Sequence, residues 1–381
     1  MDKSSHFRFS TFNFKVVLFT LIVPVFFACN FKKSEKKSST EVVEVYGKNS
    51  SLQKSELFLE LPEYCPTPDG MAIAPTGDLI LACPNYADLS QPACLVRITK
   101  DKTVSKWLDV PILEETGWAA PMGIQFDENG DLYVCDNQGW SGAEKAQNKG
   151  RLLQMKFDNK GNLQETIVVA SGMEHPNGVR IRNGKIYVTQ SSLSKIKDPT
   201  GLLVSGVYCF NRGDKNIRIT NTEEDKSLLF TVITKNKDVQ YGLDGLVFDD
   251  EGNLYVGNFG DGAVHKVIFD QTGKVVSKDV WAQDITQLRT TDGMCMDPKG
   301  NIIVADFSEN AVAIIDKNGK ITRIAQSPDC DGSDGCLDQP GEPIVWNNMI
   351  IVSCFDIVTG PDKVNTKHDK PYTLAKLRVE N

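Results

Sequence analysis

Three aspartates and one asparagine share a local setting in this 381-residue chain. Asp69, Asn177, Asp244 and Asp292 each stand immediately before a glycine that opens a short hydrophobic alternation, in PDGMAIA, PNGVRIR, LDGLVFD and TDGMCMD. Two further copies, PMGIQFD and PGEPIVW, put Met122 and Gly341 in the equivalent place. If the six passages face one axis, four carboxylate or carboxamide oxygens converge on it. That is the donor chemistry of a hard divalent cation, Ca2+ above all, which takes six to eight oxygens at about 2.3–2.6 Å; Zn2+, Mg2+ and Mn2+ are the alternatives. Three carboxylates brought together without a cation repel one another or bind protons. Asp-Gly and Asn-Gly are also ordinary turn formers, so each side chain could instead cap its own turn. Against that, a second motif of the type D-x-x-G-N/D sits farther along, as in FDENGDL and FDDEGNL, and already supplies a hairpin turn.

Positioning four such residues requires a repeated element. After residue 44 long helix patterns are nearly absent, and short β-rich runs alternate with Gly, Asn and Asp turns. The repeating unit reads PDGMAIAPTGDLILA (68–82), PMGIQFDENGDLYVC (121–135), PNGVRIRNGKIYVT (176–189), LDGLVFDDEGNLYVG (243–257) and TDGMCMDPKGNIIVA (291–305), with a degraded sixth copy, PGEPIVWNNMIIVS (340–353). A period of about fifty residues built from strands indicates propeller blades of four strands each. The expected fold is therefore all-β, a six-bladed β-propeller over residues 51–381. Either SELFLEL (55–61) or YTLAKLRVE (372–380) is expected to complete a blade shared between the chain ends, which removes exposed sheet edges.

The remaining composition bounds the setting. A formal charge of −8 offers no basic surface for nucleic acid or anionic membrane. Near the start, Lys15 precedes the apolar run VVLFTLIVPVFFA (16–28), short for a bilayer span and suited to a secretory signal. The stretch FFAC resembles a bacterial lipoprotein box, with residues 1–28 removed and Cys29 lipidated; a simple secreted protein or an anchor helix are the alternatives. The Lys/Ser-rich segment that follows reads as a flexible tether over 29–50. The expected location is the bacterial cell envelope, with membrane contact only through the lipid. Ten cysteines are present. Cys330 and Cys336 bracket DGSDG, and Cys83 and Cys94 bracket PNYADLSQPA, so each pair could close a short disulfide. Cys135 and Cys295 read as buried thiols, and Cys65 could staple to Cys354. Nine cysteines beyond Cys29 leave at least one without an internal partner.

The passage TDGMCMDPKGNIIVAD (291–306) resembles the senescence-marker-protein (regucalcin), gluconolactonase and luciferin-regenerating-enzyme family, a likeness that extends over roughly residues 60–355. The resemblance implies that Asp292 is a metal ligand and candidate general base. It places Asp244 at a ligand position usually held by Asn, Asn177 beside the metal or substrate, and Asp69 where the family has Glu. The implied activity is metal-dependent hydrolysis of a small-molecule lactone or related ester, sugar-derived ones included. Diisopropylfluorophosphatase and the paraoxonases, also six-bladed, carry a similar ring on calcium. His175, in HPNG, is either a second base or a loop residue held by Pro176. No G-x-S-x-G elbow is present.

Candidate substrate contacts are Glu114, Glu115 and Trp118 ahead of the second repeat, Trp140 beyond it, and Arg289, which could meet an anionic group. The segments GNFGDG (257–262) and ADFS (305–308) are expected at the face opposite the ring. Asp329, Asp331, Ser333 and Asp334 alternate like part of a calcium loop, although a disulfide-tied acidic surface loop fits the same residues. A non-catalytic propeller, with calcium holding the blades and a sugar or protein bound at the cell surface, is the competing function. A quinone-dependent dehydrogenase would need cofactor ligands that are not evident.

Overall fold

Each repeat folds into one sheet of four antiparallel strands, because alternating Val, Ile and Leu between Gly/Asn turns suits a pleated, well-buried surface; the second blade adds a short parallel fifth, Ile217–Arg218. The computed structural model describes residues 52–360 and 363–379, and among them it contains six such sheets and no α-helix. The leader, Cys29 and the tether lie outside the described residues. No described helix is long and apolar enough to cross a membrane.

The innermost strands are Met71–Ile73, Pro121–Phe126, Pro176–Arg182, Leu243–Phe248, Met294–Met296 and Pro340–Trp346. Each packs against that of the next blade, and the sixth returns to the first, so the ring closes. Both chain ends make the closure: Glu56–Glu60 pairs antiparallel with Thr373–Arg378 at the outside of the sixth blade. Between neighbouring blades the core is continuous. Tyr133 and Leu152 of the second blade, for example, pack with Val179, Ile186 and Tyr208 of the third.

Two local features explain the repeat. The D-x-x-G turn is self-contained: the Asp127 carboxylate accepts from the backbone N–H of Asn129 and of Asp131, while Gly130 takes φ 86°. Asp297 does the same for Lys299 and Asn301. The residue pair at the head of the inner strand has another task. Register slips between Pro121 and Ile124, Pro176 and Val179, Leu243 and Leu246, and Pro340 and Pro343 place that pair in a bulge. A bulge bends the strand and re-aims one side chain, here toward the axis. The glycine of the pair meets the next blade: a Cβ on Gly123 would lie 2.4 Å from the carbonyl oxygen of Asn177, and one on Gly245 would lie 2.6 Å from that of Asp292.

Candidate metal centre

Asp69, Asn177, Asp244 and Asp292 meet at the propeller axis, where with Glu342 and Arg180 they line a cavity of about 10 Å³. That is room for roughly one water or one ion. Asp69, Asn177 and Asp244 are 6%, 6% and 3% exposed, and Asp292 is the most accessible of the four. The amide of Asn177 donates to the Asp244 carboxylate across 2.8 Å, and Asp292 lines the same cavity beside Asp244. Arg180 spans the channel from the third blade, donating to Glu342 at 3.0 Å and to the Met294 carbonyl at 2.9 Å.

The electrostatics follow from crowding. Burial, then the charge of Glu342, pushes the Asp69 carboxyl up to about 8. Burial and then Asp69 and Glu342 raise Asp244, while burial and then Asp244 and Asp69 raise Asp292. Glu342 is raised by burial, with Arg180 opposing. Without a cation these acids hold protons, the alternative that like charges in a confined space impose.

The donor set and the cavity suit a hard cation: three aspartates, an amide and an ion-sized space. The side chains are nevertheless turned to one another, and among the described residues no three of His, Cys, Asp or Glu are gathered at metal-binding geometry. Coordination would re-aim Asn177 away from Asp244.

In three blades a polar side chain at the end of the second strand holds the backbone just ahead of the inner strand. The Asp136 carboxylate accepts from Ala120 N–H, two residues before Met122, and is itself held by Arg151 at 2.6 Å. Gln190 accepts from His175 N–H, two residues before Asn177. Asp306 accepts from Thr290 N–H, two residues before Asp292, and is held by Arg323.

The segments expected at the opposite face are at this one. An antiparallel hairpin returns the end of its second strand to the level where its first strand began, so GNFGDG and ADFS flank the ring. Phe259 and Phe307 join Phe355, Ile357 and Met122 in one buried cluster, with Tyr86, Trp140 and Tyr241 packed against it. Neighbouring rings follow one another around the mouth: Phe355 lies 5.8 Å from Phe307, Phe307 5.7 Å from Phe259, and Phe259 5.4 Å from Tyr241. The Tyr241 hydroxyl reaches the Asn177 amide at 3.5 Å. Beyond the Arg180–Glu342 pair, farther along the inner strands, a cavity of about 340 Å³ is lined by Met71, Gln125, Phe248, Met296 and Ile344 among others.

Of the expected substrate contacts, the structure brings Trp140 to the ring's mouth, stacked on Tyr86 at 4.3 Å. His175 lies 6.3 Å from Tyr241; burial pulls its imidazole down to about 4, and its Nδ1 is buried without a hydrogen-bond partner. The others make their contacts elsewhere. Glu115 pairs with Lys149, Glu114 is exposed, and Lys145 covers the Trp118 ring at 4.4 Å. Arg289 is half exposed and faces Glu309 at 3.7 Å. Two residues went unread. Glu342 occupies the place of the sixth repeat's glycine, and that Gly-to-Glu exchange in PGEP is the signal that marks it. Arg180, two residues beyond Gly178, carries no comparable signal.

The cysteines divide differently from expectation. Cys330 and Cys336 form a disulfide, and Cys135 and Cys295 are buried free thiols. Cys83 and Cys94 stand opposite each other but unbonded, and Cys65 packs with them in place of Cys354. The acids of the 327–343 loop are engaged in local bonds: Asp331 accepts from Ser333, Asp334 from Cys336 N–H, and Asp329 from Thr366.

Residues 264–333 match the family model described as SMP-30/Gluconolactonase/LRE-like region, and the passage 291–306 lies within that match. Among solved structures the chain is similar to luciferin-regenerating enzyme, with 12% identity over 85% of this chain and 94% of that one and a TM-score of 0.56. It is similar to the calcium-binding protein regucalcin from Agrobacterium tumefaciens, with 14% identity over 84% and 92% and a TM-score of 0.55. A gluconolactonase from Xanthomonas campestris gives 15% identity over 86% and 95% and a TM-score of 0.51. At these identities the shared property is the six-bladed fold. No curated protein matches the chain in sequence.

Proposed function

We propose that the chain is a divalent-cation-dependent hydrolase that opens a lactone or related ester, with Ca2+ as the cation held by Asp69, Asn177, Asp244 and Asp292. One observation carries this reading: three aspartates, two of them buried, and a buried asparagine from four blades line one ion-sized axial cavity. When bound, the cation supplies Lewis-acid stabilisation of charge on the substrate's carbonyl oxygen. Asp292, the most accessible of the acids, orients the attacking water and accepts its proton, while Asp69, Asn177 and Asp244 complete the oxygen set around the cation. Arg180 balances Glu342. His175 is neutral at pH 7 and lines the site beside Tyr241, where it takes no part in proton transfer unless substrate binding uncovers its ring. Trp140 and the aromatic rim exclude water from the site.

The test is hydrolysis of a panel of aldonolactones, alkyl lactones, aryl esters and phosphotriesters by the full chain in detergent, with and without chelator. Chelator-sensitive turnover of a lactone or carboxylic ester supports the reading, and full turnover in metal-stripped protein contradicts it.

The tightness of the aromatic cluster at the mouth favours a second reading, a calcium-stabilised propeller that binds without catalysis. Asp244→Ala would then lower the melting temperature while no member of the panel is turned over.

The envelope location is likewise proposed, through lipid on Cys29. Fatty-acid labelling of the wild type, absent in Cys29→Ser, supports it; equal labelling in both, or none in either, contradicts it.

A further inference from the structure

Three buried thiols meet beside the ring closure. Cys65 lies between the closing strand Glu56–Glu60 and the first blade, and Cys83 and Cys94 are the terminal opposed pair of strands Leu79–Cys83 and Cys94–Ile98. All three are fully buried. They share a cluster with Phe58 of the closing strand and with Trp346 and Leu374 of the sixth blade. Within that cluster Cys94 Sγ lies 4.0 Å from the carbonyl oxygen of Tyr64, the neighbour of Cys65.

Geometry selects among the three pairings. Directly opposed residues of adjacent strands hold their Cβ atoms about 4.5–5.5 Å apart, whereas a disulfide brings them to about 3.8 Å. Cys83 and Cys94 would have to pinch their ladder to bond. Cys65, outside any strand, is under no such constraint, and Tyr64 sets it against Cys94.

We propose that Cys65 and Cys94 are the site of a disulfide that fastens the ring's closing segment to the first blade, with Cys83 the adjacent thiol that exchanges into it. Its formation needs a disulfide carrier as oxidant. The Cys94 thiolate attacks the carrier's disulfide, giving a mixed disulfide and releasing one carrier thiolate. The Cys65 thiolate then attacks the Cys94 sulfur, forming the Cys65–Cys94 bond and expelling the second. Two electrons pass to the carrier, and the two cysteine protons end on its thiols. Because the folded protein exposes none of the three sulfurs, the reaction precedes closure of the blade.

The test refolds the full chain in detergent with oxidised glutathione, blocks free thiols by alkylation, and digests without reduction using a protease that cuts at aspartate. Cleavage at Asp69, Asp78 and Asp88 separates the three cysteines. The expected product is a linked Cys65–Cys94 peptide pair with Cys83 alkylated, and the same pair in Cys83→Ser. In a background of Cys330→Ser with Cys336→Ser, the oxidised protein melts roughly 4 °C or more above the reduced one. Alkylation of all three thiols, or a dominant Cys83–Cys94 product, overturns the proposal.

Discussion

Arg180 of the third blade reaches Glu342 of the sixth, directly opposite, at 3.0 Å. The pair lies beneath the aspartates and joins two blades that are not neighbours around the ring. Removing one member of such a pair leaves the other charge buried and costs about 3 kcal/mol or more. Arg180→Met is therefore expected to destabilise strongly in denaturant melts, and Arg180→Met with Glu342→Gln to recover much of that loss. Equal destabilisation by the single and double variants would show that the charge pairing is not the cause.

The ring residues should separate chemistry from scaffold. Asp292→Asn keeps size and removes the proton acceptor, so turnover should fall about 10²-fold or more with little change in melting temperature. Asp244→Ala should lose both turnover and the stabilisation that calcium confers. Steady-state rates and melting curves on the same preparations check both expectations.

Gly123 tests why the repeat contains glycine. A methyl group there would meet the Asn177 carbonyl oxygen at 2.4 Å, forcing the second and third blades apart. Gly123→Ala is expected to cost roughly 2–3 kcal/mol, whereas Gly161→Ala, with no atom within 4 Å of the added carbon, should lose only what its positive φ imposes. Chemical denaturation of the two variants measures the difference.

Asp338 provides a pH dependence whose sign is fixed. It is 2% exposed, and its Oδ1 has no hydrogen-bond partner. Burial, and then the charges of Asp356 and Asp329, push its carboxyl from the ordinary 3.8 up to about 9. A folded value above the unfolded one means that folding favours the protonated acid. That contribution is complete below about pH 4 and is lost as the pH rises toward 9. Asp338→Asn, neutral throughout, should raise the melting temperature at pH 8, with the gain shrinking toward pH 4. A gain that does not vary with pH would contradict this origin.

The blades and the four ring residues were legible because one constraint writes both. Each inner strand must let the next approach, so a glycine recurs, and the bulge it sits in aims the preceding side chain at the axis. Glu342 escaped because the sixth blade places its carboxylate at the glycine's own position, one residue past the expected slot. Arg180 escaped because an arginine within a strand ordinarily faces solvent; only the closed ring shows that it spans a channel. GNFGDG and ADFS follow their second strands in sequence, which points to the far face, whereas the hairpin returns Phe259 and Phe307 to the level of Asp244 and Asp292. Glu115 and Trp118 were near the second repeat in sequence, but lysines 149 and 145 engage them on another surface.

The axial ring is expected to hold one divalent cation. Isothermal titration of the metal-stripped full chain with calcium tests it most directly, alongside Asp244→Ala and Asp292→Asn. One ion per chain in the wild type, with binding abolished in Asp244→Ala and weakened in Asp292→Asn, is the predicted result. No binding to the wild type, or binding that both substitutions leave intact, would contradict it.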